Sequence, residues 1–146
     1  MGVRRAVVRS GVVLHAADGA LPRMLLPFKL FVGGPLGSGQ QWLSWMHVAD
    51  EVAAIRFLLE TEEAAGAFNL TTPHPLTNAE FGRVVGRVLG RPAWMPAPAF
   101  ALRLALGEMA TVVLDGQRAV PRRLLAMGFT FRFPEAEAAL RDLLAR

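Results

Sequence analysis

The residues best able to do chemistry fall into a few small groups. His47 and Asp50 stand three apart in His47-Val48-Ala49-Asp50. Such a pair could hold a metal ion or pass a proton. It could equally be structural, with His47 capping a helix and Asp50 stabilising its first turn. The structural reading is preferred, because no third ligand sits nearby, and no metal is assigned. Trp42, Trp45 and Met46 form an aromatic, apolar cluster that suits a pocket wall and a core equally well. Asn69 and Thr71 stand at a strand end, where polar side chains could meet a substrate. The glycine-rich stretch 33–39 (GGPLGSG) looks like a phosphate loop at first sight. However, Gly37-Ser38-Gly39 runs on into Gln40, Gln41 and Trp42, so the third glycine of a dinucleotide fingerprint is missing. The Lys-Ser/Thr end of a P-loop is missing too. His15 and His74 fall in loops, and Glu108 and Asp115 read as helix-surface carboxylates. The chain contains no cysteine, which excludes disulfides, thiolate metal sites and cysteine nucleophiles.

The elements that must position these groups alternate in type. Residues 3–14 are apolar and β-branched almost throughout, as in a parallel strand buried on both faces. A turn follows at 16–19, then a helical pattern over 20–31 that Pro27 should kink or end. Residues 41–48 read as a strand. Residues 50–60 form an amphipathic helix with Val52, Ile55, Leu58 and Leu59 on one face. Met24, Leu25 and Phe28 make a stripe at helical spacing, which is more often core than pocket. Residues 67–71 read as a further strand. Thr77-Asn78-Ala79-Glu80 is a capping box, so a helix starts at Thr77 and stops at Gly90. Beyond it the pattern is mainly helical: 100–114, 121–127 closed by Gly128, and 134–144. The fold class is therefore α/β at the start and α-rich afterward.

The composition bounds the rest. At 53% hydrophobic and 19% charged residues, 146 residues suffice for a domain with a real core. No apolar run reaches the ~18 residues of a membrane span. The net charge of +4 comes almost wholly from arginine, since Lys29 is the only lysine. The arginines are scattered, which describes a solvated basic surface better than a nucleic-acid stripe. No signal-peptide pattern is evident, and an intracellular, cytoplasmic setting is expected.

Several blocks then fall into a familiar order. VVRSGVVL (7–14), GGPLGSGQQWLSWMHVAD (33–50), FNLTTPHPLTNAEF (68–81) and EMATVVLDGQRAVPRRLLAMGFTFRFP (108–134) cover much of the chain. It resembles the C-terminal half of an extended, epimerase-like short-chain dehydrogenase/reductase. The resemblance implies the C-terminal portion of an NAD(P)-binding Rossmann-type fold over 1–75 and an α-rich, substrate-binding region over 76–146. It implies NADP or NAD as cofactor and a small-molecule substrate, with no nucleic-acid or membrane partner and the oligomeric state left open. It places Arg9, Ser10, Gly11, Val12 and Val13 beside the nicotinamide. Weaker substrate candidates are Met24, Trp42, Trp45, His47 and Asn69.

The family's catalytic pair is a tyrosine with a lysine four residues later. This sequence has no tyrosine, and Leu25 stands four before Lys29. No catalytic residue is therefore assigned. The function read from the sequence is a fragment or truncated form of an NAD(P)-dependent oxidoreductase or epimerase, inactive alone. The alternative is a non-catalytic binding or regulatory module with the same partial fold. A central-type strand beginning at residue 3 agrees with the first of these. It leaves both edges and the apolar faces of residues 7–14 uncovered.

Overall fold

The β-branched run at the start of the chain forms two consecutive strands, β1 (Ala6–Ser10) and β2 (Val12–Leu14), with Gly11 between them. The remaining elements are α1 (Ala20–Lys29), β3 (Trp42–Leu43), β4 (Trp45–His47), α2 (Val48–Glu60), β5 (Gly66–Leu70), β6 (Leu76–Thr77), α3 (Asn78–Leu89), α4 (Arg122–Ala126) and α5 (Ala136–Leu144). The structure is a computed structural model and describes residues 5–16, 20–30, 33–34, 39–91, 93 and 118–144. The helix expected over 100–114, the stretch 94–99, and Glu108 and Asp115 lie outside the described residues.

The first strand changes partner at Gly11. β1 pairs in parallel with β5, Ala6 opposite Gly66 through Ser10 opposite Leu70. β2 pairs in parallel with β4, Val12 opposite Trp45 through Leu14 opposite His47. At the junction the Gly11 amide donates to the Leu70 carbonyl (3.1 Å) and the Val12 amide to the Ser44 carbonyl (2.8 Å). Successive amides of an extended chain point to opposite sides, so β5 and β4 flank opposite edges. A methyl at Gly11 would run into the Ser44 carbonyl oxygen and come within 2.8 Å of Thr71 Cγ2. Only glycine fits between the two partners.

This topology corrects the expectation for residues 7–14. One edge of β1 is occupied by β5, and only the other is unpaired among the described residues. The faces are uncovered as expected only along β1, whose five residues are all exposed, including Val7 at 48% and Val8 at 42%; Val12 and Val13 of β2 are half-buried and Leu14 is fully buried.

β4 divides two cores, because consecutive strand residues point to opposite faces. Trp45 joins Leu14, Leu25, Phe28, Phe81 and Leu140 between α1, α3 and α5. Met46 joins Leu58, Phe68, Leu70, Leu124 and Phe129 beneath α2 and α4. The first core draws on residues from both sides of position 75. Pro27 does not end α1, which runs on to Lys29. The strand expected over 41–48 breaks at Ser44, and α2 begins at Val48.

The expected face of α2 also divides. Leu58 is buried with Ala54 and Asp50, while Val52, Ile55 and Leu59 are exposed. The residue pattern admitted two apolar stripes, and tertiary packing took the one with the small Ala54.

α3 carries the capping box in full. Thr77 Oγ1 accepts from the Glu80 amide, and the Glu80 side chain accepts from the Thr77 amide. Gly90 closes the helix in the left-handed region at φ 67°. α5 packs on α3; Glu137 links them through Arg87 (3.1 Å) and pairs along α5 with Arg141 (3.2 Å). Hydrogen bonds from Arg141 first, and then Arg87, hold the Glu137 carboxyl below its ordinary pKa. A carboxylate so lowered adds stability above its unfolded pKa and loses it as pH falls through the folded value. The group is exposed, so the effect is small and screened by salt. Glu137→Gln is expected to lower the melting temperature slightly at neutral pH. The gap from wild type should close as pH falls through the folded value of that carboxyl, as paired melts across pH would show. Among the described residues no helix is long and apolar enough to cross a membrane.

Candidate functional site

A cleft of about 890 Å³ opens beside the Gly11 junction. Arg9, Ser10, Gly11 and Val12 form one wall, at the carboxyl end of β1. Trp42, Leu43 and Ser44 form a second. Asn69 and Thr71 enter from the end of β5, and residues 118–120 with Arg122 close the remaining side. Parallel strands place ligand sites at their carboxyl ends, and this cleft lies there.

The cleft brings together seven of the residues singled out in the sequence: Arg9, Ser10, Gly11, Val12, Trp42, Asn69 and Thr71. Val13 is half-buried and does not line it. Met24 packs against the first core instead. Trp45 is fully buried in that core, and His47 is buried at the start of α2. The burial of all three is explained by packing, because α1 and β4 turn these side chains toward the α3–α5 layer.

His47 and Asp50 act on the chain itself. His47 Nδ1 accepts from the Ala49 amide (2.9 Å) and caps α2. The ring proton therefore sits on Nε2, which donates to Asp142 on α5 (2.9 Å). Phe133 stacks on the same ring at 4.2 Å between centroids. Asp50 is 2% exposed, and its two oxygens accept the amides of Arg132 and Phe133, each at 2.9 Å. Both side chains thus fasten the C-terminal segment to the first turn of α2. Among the described residues no group of three His, Cys, Asp or Glu is placed to hold a metal ion.

The polar candidates at the end of β5 are likewise engaged. Asn69 Nδ2 donates to the Val120 carbonyl (3.3 Å) and Thr71 Oγ1 to the Ala119 carbonyl (3.4 Å). Ser44 Oγ accepts from the Ala119 amide (2.9 Å). Three side chains, two from the end of β5 and one from the β3–β4 junction, therefore clip residues 119–120 in place. Arg118, next in line, lies over the Trp42 ring at 5.4 Å from its centroid. Little in the residue pattern marks this wall. Arg118 and Arg122 were two arginines among many, about 50 residues from the groups that hold their segment. Ser44 carried no signal beyond sitting between two tryptophans. Arg123, adjacent to Arg122, is used differently: it donates to the Ala65 and Ala67 carbonyls (2.7 Å each) and covers the Phe68 ring.

Comparison with known proteins gives the same outline. Residues 97–143 match a domain of unknown function, DUF1731. The chain is 47% identical over 143 residues to the epimerase family protein SDR39U1 of Mus musculus, covering 97% of this chain and 49% of that protein. It is 44% identical over 145 residues to the epimerase family protein YfhF of Bacillus subtilis, covering 99% and 48%. The crystal structure of human SDR39U1 (isoform 2) with NADPH superposes with a TM-score of 0.90 at 42% identity, covering 98% of this chain and 49% of that one. A nucleoside-diphosphate sugar epimerase from Corynebacterium glutamicum superposes at 0.72 with 28% identity, covering 96% and 26%. The chain spans about half the length of the curated relatives it matches. The chain is similar to the C-terminal half of these epimerase family proteins, and its fold matches that portion of the NAD(P)-binding short-chain dehydrogenase/reductase structures.

Proposed function

We propose that this chain is the substrate-facing half of an NAD(P)-dependent oxidoreductase or epimerase, and that it needs a second half to catalyse. The observation that carries the reading is the cleft at the carboxyl end of β1, lined by the strand end that the family resemblance sets beside the nicotinamide. The human relative's structure holds NADPH, which supports a nicotinamide cofactor here. Such a cofactor supplies hydride transfer at a carbon bearing oxygen.

The residues present fit only one end of that cofactor. Gly11, Val12 and Trp42 offer a wall for a flat ring. The Gly11 and Val12 amides are already spent on Leu70 and Ser44. The first-turn amides of α3 are spent too, with Asn78 on Gln41, Ala79 on Gly39 and Glu80 on Thr77. A pyrophosphate therefore finds no cradle at this helix. The sequence also lacks the tyrosine that would move the proton. The edge of β1 left unpaired among the described residues and the exposed Val52 and Leu59 of α2, at 63% and 72%, suit coverage by further strands and helices.

The test is complementation. The chain alone is expected to oxidise no NADPH and to leave NADPH fluorescence unchanged. Co-expressed with the N-terminal half of the Bacillus subtilis relative, it should copurify and alter that fluorescence. Turnover by the chain alone would overturn the reading. Failure to copurify would transfer support to a stand-alone binding module.

A further inference from the structure

We propose that the open edge of β1 is an interface between two copies of this chain, which pair antiparallel about a two-fold axis at Val8. The inference does not rest on the reading above. It concerns the same edge, so a second copy and a second half exclude one another. Within the β1–β5 pair the backbone groups alternate in direction. The Gly11 amide donates to Leu70 and the Arg5 carbonyl accepts the Gly66 amide, so Arg5, Val7, Arg9 and Gly11 face β5. Ala6, Val8 and Ser10 then face the other edge, which no strand occupies among the described residues. β4 takes over that edge from Val12 onward, where the Val12 amide meets the Ser44 carbonyl. The open stretch is therefore Ala6–Ser10, with Val8 at its centre.

An exposed strand edge is a template for another strand. This one fits its own copy. Two copies of Ala6–Ser10 overlap in full only when the two Val8 residues lie opposite one another. Ala6 then stands opposite Ser10, and Val7 opposite Arg9. A slide by two residues is the smallest that keeps bonding groups face to face. In one direction it sets Arg9 opposite Arg9, and in the other Arg5 opposite Arg9. Like charges directly opposite are destabilising, so the register centred on Val8 is selected. It also covers the apolar groups that β1 leaves exposed. The two Val8 side chains lie side by side, and each Val7 meets the apolar stem of an Arg9.

The pairing stops at two copies. The outward carbonyls of β5, at Ala65 and Ala67, each receive a nitrogen of the Arg123 guanidinium at 2.7 Å. That edge is closed to a further strand. A sheet with one closed edge and one open edge, joined through a two-fold, makes a closed dimer with strand order β5–β1–β1–β5 and not a growing fibre.

The test uses the absence of cysteine from the chain, so that a single introduced one reports contact between copies. Light scattering on the chain alone is expected to give the mass of two copies, falling toward one on dilution. Val8→Cys should form a disulfide-linked dimer under mild oxidation, because facing, bonded strand residues have Cα atoms about 5.5 Å apart. Val7→Cys should not, since the two Val7 positions stand about 8 Å apart in this register, beyond disulfide reach. Val8→Pro removes an amide that faces the open edge and none that faces β5. It should keep the wild-type circular dichroism and halve the mass. Val8→Lys should give the same loss through facing like charges, with the backbone untouched. A wild type that is monomeric at every concentration overturns the proposal. So do a disulfide through Val7→Cys in place of Val8→Cys, a dimer that survives both Val8→Pro and Val8→Lys, and assemblies larger than two. Adding the N-terminal half of the Bacillus subtilis relative separates this proposal from the reading above. A homodimer that yields to a one-to-one complex supports both. A monomer that copurifies with that half sinks the homodimer alone, and a homodimer that never yields removes the reading alone.

Discussion

Gly11→Ala is expected to cost the fold about 3 kcal/mol or more, and to lower its melting temperature by roughly 10 °C. The added methyl would meet the Ser44 carbonyl oxygen and lie 2.8 Å from Thr71 Cγ2. One neighbour is backbone already bonded to the Val12 amide, so it cannot move away without breaking that bond. The other is the side chain that bonds the Ala119 carbonyl, so its shift loosens the far wall of the cleft. The cost thus falls on both the β2–β4 pairing and the clip around residues 119–120. Gly90→Ala is the control. It has open space around it and only a left-handed φ of 67° to oppose it, worth about 1 kcal/mol. Thermal melts followed by circular dichroism would compare the two. A Gly11→Ala melt no lower than that of Gly90→Ala would refute the account of the junction.

The contrast between these glycines shows which features a sequence displays. Gly90 was legible because a helix end is local: the capping box at Thr77 and Glu80 set its start, and the glycine before Pro92 set its stop. Gly11 was visible as a place where backbone could come close, but not what came close. Ser44 and Thr71 reach it from 33 and 60 residues away. The same distinction separates α2's two faces. Helical periodicity groups Val52, Ile55, Leu58 and Leu59 as apolar, yet only Leu58 is buried. The buried face includes a charged residue, Asp50, which periodicity counts as outward. What allows it inside is a pair of amides more than 80 residues later in the chain. A buried carboxylate is tolerated when its lone pairs are met. That satisfaction is a tertiary fact.

The candidate site follows the same rule. Residues 9–12 were legible, because a strand end in a parallel sheet is a local pattern with a general consequence. Asn69 and Thr71 were legible as polar groups in the right place, but their task was not. Each donates to a carbonyl of the segment that carries Arg118. The arginines themselves were spread through a basic sequence in which nothing marked two of them as sharing a cleft.

Asp50→Ala is expected to be the other severe change, at about 3 to 5 kcal/mol. It strips two part-buried backbone amides of a carboxylate acceptor, each bond worth about 1.5 to 3 kcal/mol. It also removes negative charge from the first turn of α2, where the helix dipole favours it. The damage should be directional. The Arg132 and Phe133 amides are held by Asp50, Phe133 stacks on His47, and His47 bonds Asp142. Releasing residues 132–133 therefore loosens the path by which α5 docks on the rest of the chain. Limited proteolysis should cut Asp50→Ala first within residues 128–135, while β1–β5 remains protected. Asp50→Asn keeps one oxygen to accept one amide and turns a donor toward the other, so it should fall between wild type and alanine. If Asp50 served a ligand rather than the fold, both variants would melt near wild type and fail only in binding. If it fastens the segment as its geometry requires, the melting temperatures will order wild type, Asn, Ala, and the proteolytic cut will track that order.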